Sequence, residues 1–226
     1  MMIFFDIDET LLDFKGAEYL GVAAIYQEWQ KHFNESQDHF YARWCTVGKH
    51  YFSRYLAGEL TFEEQQIARV QDLFRATCQT VSETQALAIF QLYLTHFQEN
   101  WTPFSDVWSC LQSLAGHQLG IISNGQTKQQ QAKLEKLGIR DYFEVIVTAE
   151  DTGFAKPHVA IFRTAAAKAG IPQEQCTYCG DDWTTDMMPL ASAGMQGIWI
   201  NRRGETAGSL GNIQEIHSLT ELAHHL

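Results

Sequence analysis

Apolar residues recur along this chain with two different periods. Met2-Ile3-Phe4-Phe5, followed by Asp6 and Ile7, is an apolar run short enough for a strand covered on both faces. From about Gly16 to Asn100 the spacing changes to three and four residues, as in Ala17, Leu20, Ala24, Ile25 and Trp29, while glycine is scarce and proline absent. That stretch predicts about four helices with no strand between them. Thr61 with Glu64, and Ser82 with Gln85, have the spacing of helix-opening capping boxes.

Beyond Trp101-Thr102-Pro103 helical and strand-like segments alternate. Helices are expected near 104–114, 127–137, 158–168 and 184–193, the last three stopped by Gly138, Gly170 and Gly194. Each leads into a short apolar strand, at 118–123, 144–148, 175–180 and 196–201. Helix, glycine stop and buried strand in succession are the mark of βαβ units. The expected architecture is therefore α/β: a doubly wound, Rossmann-like parallel sheet from residues 1–15 and 101–226, with an inserted all-helical cap domain over 16–100. Residues 218–226 read as a short closing helix.

Composition narrows the classes of function. With 45% hydrophobic and 12% aromatic residues, the chain has the apolar content of a folded protein rather than a disordered one. No apolar run approaches the roughly 20 residues that span a bilayer, and MIFFDID has neither the charged lead nor the cleavage site of a signal peptide. Sixteen basic against 27 acidic side chains give a net charge of −11, which repels nucleic-acid polymers and anionic membrane surfaces. An anionic substrate then has to be attracted locally, by a metal or a few placed cations. Five scattered cysteines fit reduced thiols in a cytoplasmic protein, and Cys176 and Cys179 read as packing residues.

The chemistry concentrates at strand ends, where ligands of open α/β sheets collect. The first strand ends in Asp6 and Asp8, the second in Ser123 and Asn124. Lys156 follows the third, and Gly180-Asp181-Asp182 with Asp186 follows the fourth. Carboxylates gathered from several strands oppose one another's ionisation unless a cation sits among them, and hard oxygen donors favour Mg²⁺. A carboxylate attacking phosphorus needs the repulsion screened, which Mg²⁺ and Lys156 would do. Ser123 would donate to phosphoryl oxygens, and Asp8 could protonate the leaving alcohol and later activate water.

Ile3-Phe4-Phe5-Asp6-Ile7-Asp8-Glu9-Thr10-Leu11 resembles the DxDxT signature of the haloacid dehalogenase-like hydrolases. Ile121-Ile122-Ser123-Asn124, Lys156, and Gly180-Asp181 with Asp186 resemble that family's other three motifs. The resemblance implies that Asp6 is nucleophile and metal ligand. Asp8 would be acid and base, with its backbone carbonyl on the metal. Ser123, Asn124 and Lys156 would hold the phosphoryl group, and Asp181 would ligate Mg²⁺ with Asp186 in support. It further implies a mobile helical cap and a small phosphorylated metabolite as substrate. Glu9 where most members have glycine, together with Asp141-Tyr142-Phe143 and Ala155-Lys156-Pro157, is similar to the subgroup of bacterial pyrimidine 5′-nucleotidases and N-acylneuraminate-9-phosphatases.

Asp182, often serine or threonine in that family, adds a third adjacent carboxylate and leaves the division of roles with Asp181 and Asp186 open. The same fold also serves a phosphosugar mutase or a silent ligand-binding protein, whereas Asp8 argues against dehalogenation. Within the insertion, Tyr41, Trp44, Tyr51 and Tyr55 recur at near-helical spacing. They either pack the helices together or, through Trp44 and Tyr51, offer a stacking surface to substrate. Oligomeric state is open.

Overall fold

The computed structural model describes residues 1–75, 77, 79–208 and 211–226. Two compact units emerge: Met1–Asp13 with Thr102–Leu226, and Phe14–Trp101.

The first unit is built on a parallel sheet of β1 (Met2–Phe5), β2 (Gln118–Ser123), β3 (Val145–Thr148), β4 (Cys176–Gly180), β5 (Gln196–Ile200) and β6 (Ile213–Ile216). Their order is β3-β2-β1-β4-β5-β6. β1 lies between β2 and β4, with Phe5 opposite Ile121 on one side and Cys179 on the other. Met2 and Phe4 belong to one core with Ile122, Phe162 and Tyr178. Ile3 and Phe5 point to the opposite face, where Phe5 meets Phe143 edge-on, centroids 6.2 Å apart. Burial on both faces explains the unbroken apolar run. A polar side chain is admitted only where the chain leaves the sheet, and Asp6 is the first residue to do so.

The order reverses direction at β1, so the ends of β1, β2 and β4 open on the topological switch point, where such sheets bind ligands. Helices α5 (Val107–Ser113), α6 (Thr127–Lys136), α7 (Ala149–Thr152) and α8 (Val159–Ala169) precede or follow these strands. The helix expected over 184–193 is broken into a widened π-type turn, Trp183–Met187, and a short α9, Leu190–Ala193. Pro189 has no N–H to carry a continuous helix across the gap. β6 was not expected: Gln214 and Glu215 in its middle are exposed, as befits an edge strand without an apolar run. The closing segment Leu219–His225 is a 3₁₀ helix opened by a Ser218–Glu221 capping box. Asp106 ties it down, accepting from Arg202 (2.8 and 3.0 Å), the Ser218 hydroxyl (3.0 Å) and the Leu219 N–H (2.9 Å).

The second unit contains α1 (Phe14–Trp29), α2 (Gln37–Leu56), α3 (Phe62–Phe74) and α4 (Glu83–Glu99). Both predicted capping boxes, Thr61–Glu64 and Ser82–Gln85, are formed. Its interior holds an ion pair between Glu18 and Arg69 at 3.2 Å, with the Arg69 guanidinium 3.9 Å over the Trp44 ring. The Trp44 indole donates to Glu18 at 3.2 Å and its ring packs on Tyr93 and Phe90. Trp44 is wholly buried, and Tyr51, nearly so, donates to Asp72 at 3.3 Å. The stacking surface expected of Trp44 and Tyr51 is thus corrected: both side chains are buried and spent on contacts that join helices. Leu20, counted into the buried stripe, is 48% exposed.

Cys45, Cys110, Cys176 and Cys179 are free thiols, and Cys78 lies outside the described residues. Cys176 and Cys179, three apart on β4, face opposite sides of the sheet. Burial pushes the Cys176 thiol up to about 11 and raises that of Cys179 well above its ordinary range. Among the described residues no helix is long and apolar enough to cross a membrane.

Candidate active site

Asp6 continues the sheet by one hydrogen bond, its N–H donating to the Cys179 carbonyl at 2.9 Å. Its carboxylate, nearly buried, accepts from Lys156 Nζ at 2.7 Å through Oδ1. The same ammonium reaches Asp186 Oδ1 at 2.8 Å and the Tyr178 hydroxyl at 2.8 Å. Residues from the ends of β1 and β4 and from the segment after β3 therefore meet around one buried cation. Burial opposes the charge on Lys156, but Asp186 and Asp6 more than offset it and hold the ammonium above its usual range.

Asp6, Asp181 and Asp186 each offer a carboxylate oxygen, all within 4.8 Å of one another. Burial, with Asp6 and Asp186 adding to it, pushes Asp181 up to about 9. Burial likewise raises Asp6 to about 7, with Lys156 pulling down and Asp186 and Asp8 pushing up. Three hard donors this close together are suited to a divalent cation, which would relieve the repulsion and satisfy the oxygens at once. The donor set fits Mg²⁺.

The roles left open among Asp181, Asp182 and Asp186 separate on geometry. Asp182 Oδ1 accepts from the Thr184 and Thr185 N–H groups at 2.9 and 2.8 Å and caps the widened turn. Although burial acts against its charge, those N–H groups keep its carboxyl below the ordinary range. Asp186, on that turn, is directed inward and accepts from the Asp182 N–H at 3.1 Å and the Tyr178 hydroxyl at 3.1 Å. Gly180 makes room, since a Cβ there would overlap Asp186 Oδ2. Gly180→Ala is expected to shift Asp186 and destabilise the fold by about 1–3 kcal/mol, read by thermal melts.

Asp8 does not join the acidic cluster. The chain turns after Ile7, whose carbonyl accepts from both the Leu11 and Leu12 N–H groups. The Asp8 carboxylate receives Lys133 Nζ at 2.6 and 2.8 Å. Glu9 sits at φ 62°, a left-handed position that glycine occupies without strain, and pairs with Arg203 at 3.3 Å. Ser123, buried at the end of β2, accepts from Gln130 Nε2 at 2.9 Å.

Asn124 has a further role, toward the lysine. Its Oδ1 accepts from the Lys156 N–H at 2.6 Å and its Nδ2 donates to the Lys156 carbonyl at 2.9 Å. The Asn124 amide thus brackets the Lys156 backbone and orients the lysine. Tyr178, Gln130 and Lys133 escaped the sequence reading. Tyr178 hides within an apolar strand. Gln130 and Lys133 lie in a run of glutamines and lysines that looks like a solvent face, although they share an i, i+3, i+4, i+7 stripe with Leu134 and Leu137.

Residues 1–194 match the family model described as haloacid dehalogenase-like hydrolase. The pyrimidine 5′-nucleotidase YjjG of Escherichia coli is 28% identical over 226 residues, covering 97% of this chain and 96% of that protein. A glyceraldehyde 3-phosphate phosphatase of Methanothermobacter thermautotrophicus is 30% identical over 206 residues, covering 88% and 84%. Among solved structures, the HAD-hydrolase YfnB of Bacillus subtilis, bound to magnesium, superposes with a TM-score of 0.81 at 24% identity over 99% of this chain and 97% of that one.

Proposed function

Since the chain belongs to the haloacid dehalogenase-like hydrolases, we propose that it is a Mg²⁺-dependent phosphatase cleaving a small phosphate monoester through an aspartyl-phosphate. The observation that carries this reading is the buried Lys156 ammonium shared by Asp6 and Asp186 beside Asp181 at the switch point. With a divalent cation on the three carboxylates, such a site would receive a dianion next to a carboxylate nucleophile.

Asp6 Oδ1 is held by Lys156, which leaves Oδ2 to attack phosphorus. As the Asp6–phosphorus bond forms, the bond to the ester oxygen breaks and Asp8 supplies the proton that lets the alcohol leave. Asp8, now ionised, takes a proton from water as that water attacks the aspartyl-phosphate, which frees Asp6 and inorganic phosphate. Lys156 and the Ser123 hydroxyl hold the phosphoryl oxygens throughout. Mg²⁺ held by Asp6, Asp181 and Asp186 would supply Lewis-acid polarisation of the phosphoryl group and neutralise its charge.

The names of the relatives point to nucleoside 5′-monophosphates, pyrimidine ones first, and to triose phosphates as the substrates to try. Phosphate release from a panel of such esters with Mg²⁺ is the direct test. Turnover that vanishes in EDTA and returns with Mg²⁺ is expected; no release from any ester would favour a silent binding protein, and transfer between sugar hydroxyls a mutase.

The metal has a second signature, in stability. Without a cation, Asp6 and Asp181 have folded-state values of about 7 and about 9 against an ordinary 3.8. The folded state then binds more protons than the unfolded one between those limits, so their contribution to stability falls as pH rises across that window. In EDTA the melting temperature should drop from pH 6 to pH 9, and saturating Mg²⁺ should flatten the slope. A slope indifferent to Mg²⁺ would count against the cluster as a metal site.

A further inference from the structure

Lys133 and Gln130, three residues apart on α6, turn toward the turn that carries Asp8 and the end of β2 that carries Ser123. Both are almost fully buried, at 1% exposure each. A buried lysine and a buried glutamine in a ten-residue helix need partners, and they find them in residues of the site. Lys133 Nζ donates to both oxygens of Asp8, at 2.6 and 2.8 Å. Gln130 Nε2 donates to Ser123 Oγ at 2.9 Å and, at a longer 3.4 Å, to Asp8 Oδ2.

The geometry points to Lys133 and Gln130 as a clamp of two positioning residues that aims the Asp8 carboxyl and the Ser123 hydroxyl at the substrate. The inference rests on the phosphatase reading above and deepens it. An ammonium bonded to both oxygens fixes the plane of the Asp8 carboxyl. Its donors are accepted by either the ionised or the protonated carboxyl, because a protonated oxygen keeps an acceptor lone pair. The hold therefore survives both proton transfers asked of Asp8.

Gln130 acts on the other group. By donating to Ser123 it occupies an acceptor site and leaves the hydroxyl's one proton free to donate to a phosphoryl oxygen. The amide cannot be turned round without bringing Oε1 against Asp8 Oδ2, two acceptors facing each other. In the observed orientation Gln130 Oε1 has no hydrogen-bond partner among the described residues, a burial penalty that an apolar side chain would avoid. Gly125 opens the space, since a Cβ there would overlap the Gln130 amide.

Positioning of a proton donor is tested by varying how much the leaving group needs the proton. Uridine 5′-monophosphate, or glyceraldehyde 3-phosphate where it is the better substrate, loses a poor alkoxide leaving group. p-Nitrophenyl phosphate loses a stable phenolate. Because kcat/KM reports the steps through departure of the leaving group, Lys133→Met should lower it for the alkyl ester about tenfold more than for p-nitrophenyl phosphate. Gln130→Met, which loosens the Ser123 hydroxyl, should lower kcat/KM for both esters alike by about threefold, and Lys133→Gln carries the proton-donor test should Lys133→Met fail to fold by circular dichroism. Loss by one common factor on both esters in the Lys133 variant, or an unchanged kcat/KM in Gln130→Met, would overturn the clamp while leaving the phosphatase intact. A wild-type enzyme that released phosphate from neither alkyl ester would remove the reading the clamp rests on.

Discussion

Asp6→Asn is expected to reduce phosphate release by about 10⁴-fold or more, because an amide offers no competent nucleophile to phosphorus. The fold should survive. Asp6 is one of three crowded carboxylates, and its replacement removes a like charge while Lys156 keeps its bond to Asp186 at 2.8 Å. The isosteric amide oxygen can still accept from Lys156. A melting temperature in EDTA equal to or above that of the parent is therefore expected, together with a weaker stabilisation by Mg²⁺. Phosphate release within tenfold of the parent would mean that another group attacks, and would remove the aspartyl-phosphate from the mechanism.

Lys156→Met should act on both stability and activity. The ammonium is 4% exposed and joins Asp6 and Asp186, themselves buried. Removing one partner from such a pair strands the other, at about 3–5 kcal/mol. Here two carboxylates are stranded beside a third, so a large loss of melting temperature is expected in EDTA. Mg²⁺ should recover a greater share of it than it adds to the parent, since the ion would neutralise the oxygens that the lysine had held. Turnover should stay low even in Mg²⁺, by about 10³-fold, because no cation remains at that corner for the phosphoryl oxygens. A variant as stable as the parent in EDTA would show that the Asp6–Lys156–Asp186 contacts carry little energy.

Much of this site was legible because the sheet imposes a simple rule. A strand covered on both faces is apolar to its end, so the first polar residues after it stand out: Asp6 after β1, Ser123 at the end of β2, Asp181 after β4. Capping boxes were legible for a similar reason, since Thr61 and Ser82 act on N–H groups within three residues of themselves. Residues whose role depends on a distant partner were not. Asn124 shares composition with any polar turn, and only the placement of the segment after β3 reveals that it brackets the Lys156 backbone. Trp44 was offered as a stacking face because helical spacing says which side a residue takes but not what covers it; Arg69, Phe90 and Tyr93 do. Lys133 and Gln130 were passed over although they stand on the same inward stripe as Leu134, an arrangement that would strand a charge unless an acid waited opposite.

The place of β1 in the sheet also governs the order in which this protein can be assembled. Met2 must find Gln118 on one side and Cys176 on the other, so the strand bearing Asp6 has neither neighbour until the chain has passed through the whole helical unit and beyond. During synthesis α1 to α4 can collapse on their own local contacts while β1, the most apolar strand of all, waits exposed. The residue with the most chemistry to perform is anchored early in the chain and among the last to be enclosed, which makes that interval the point at which a nascent copy is most open to aggregation.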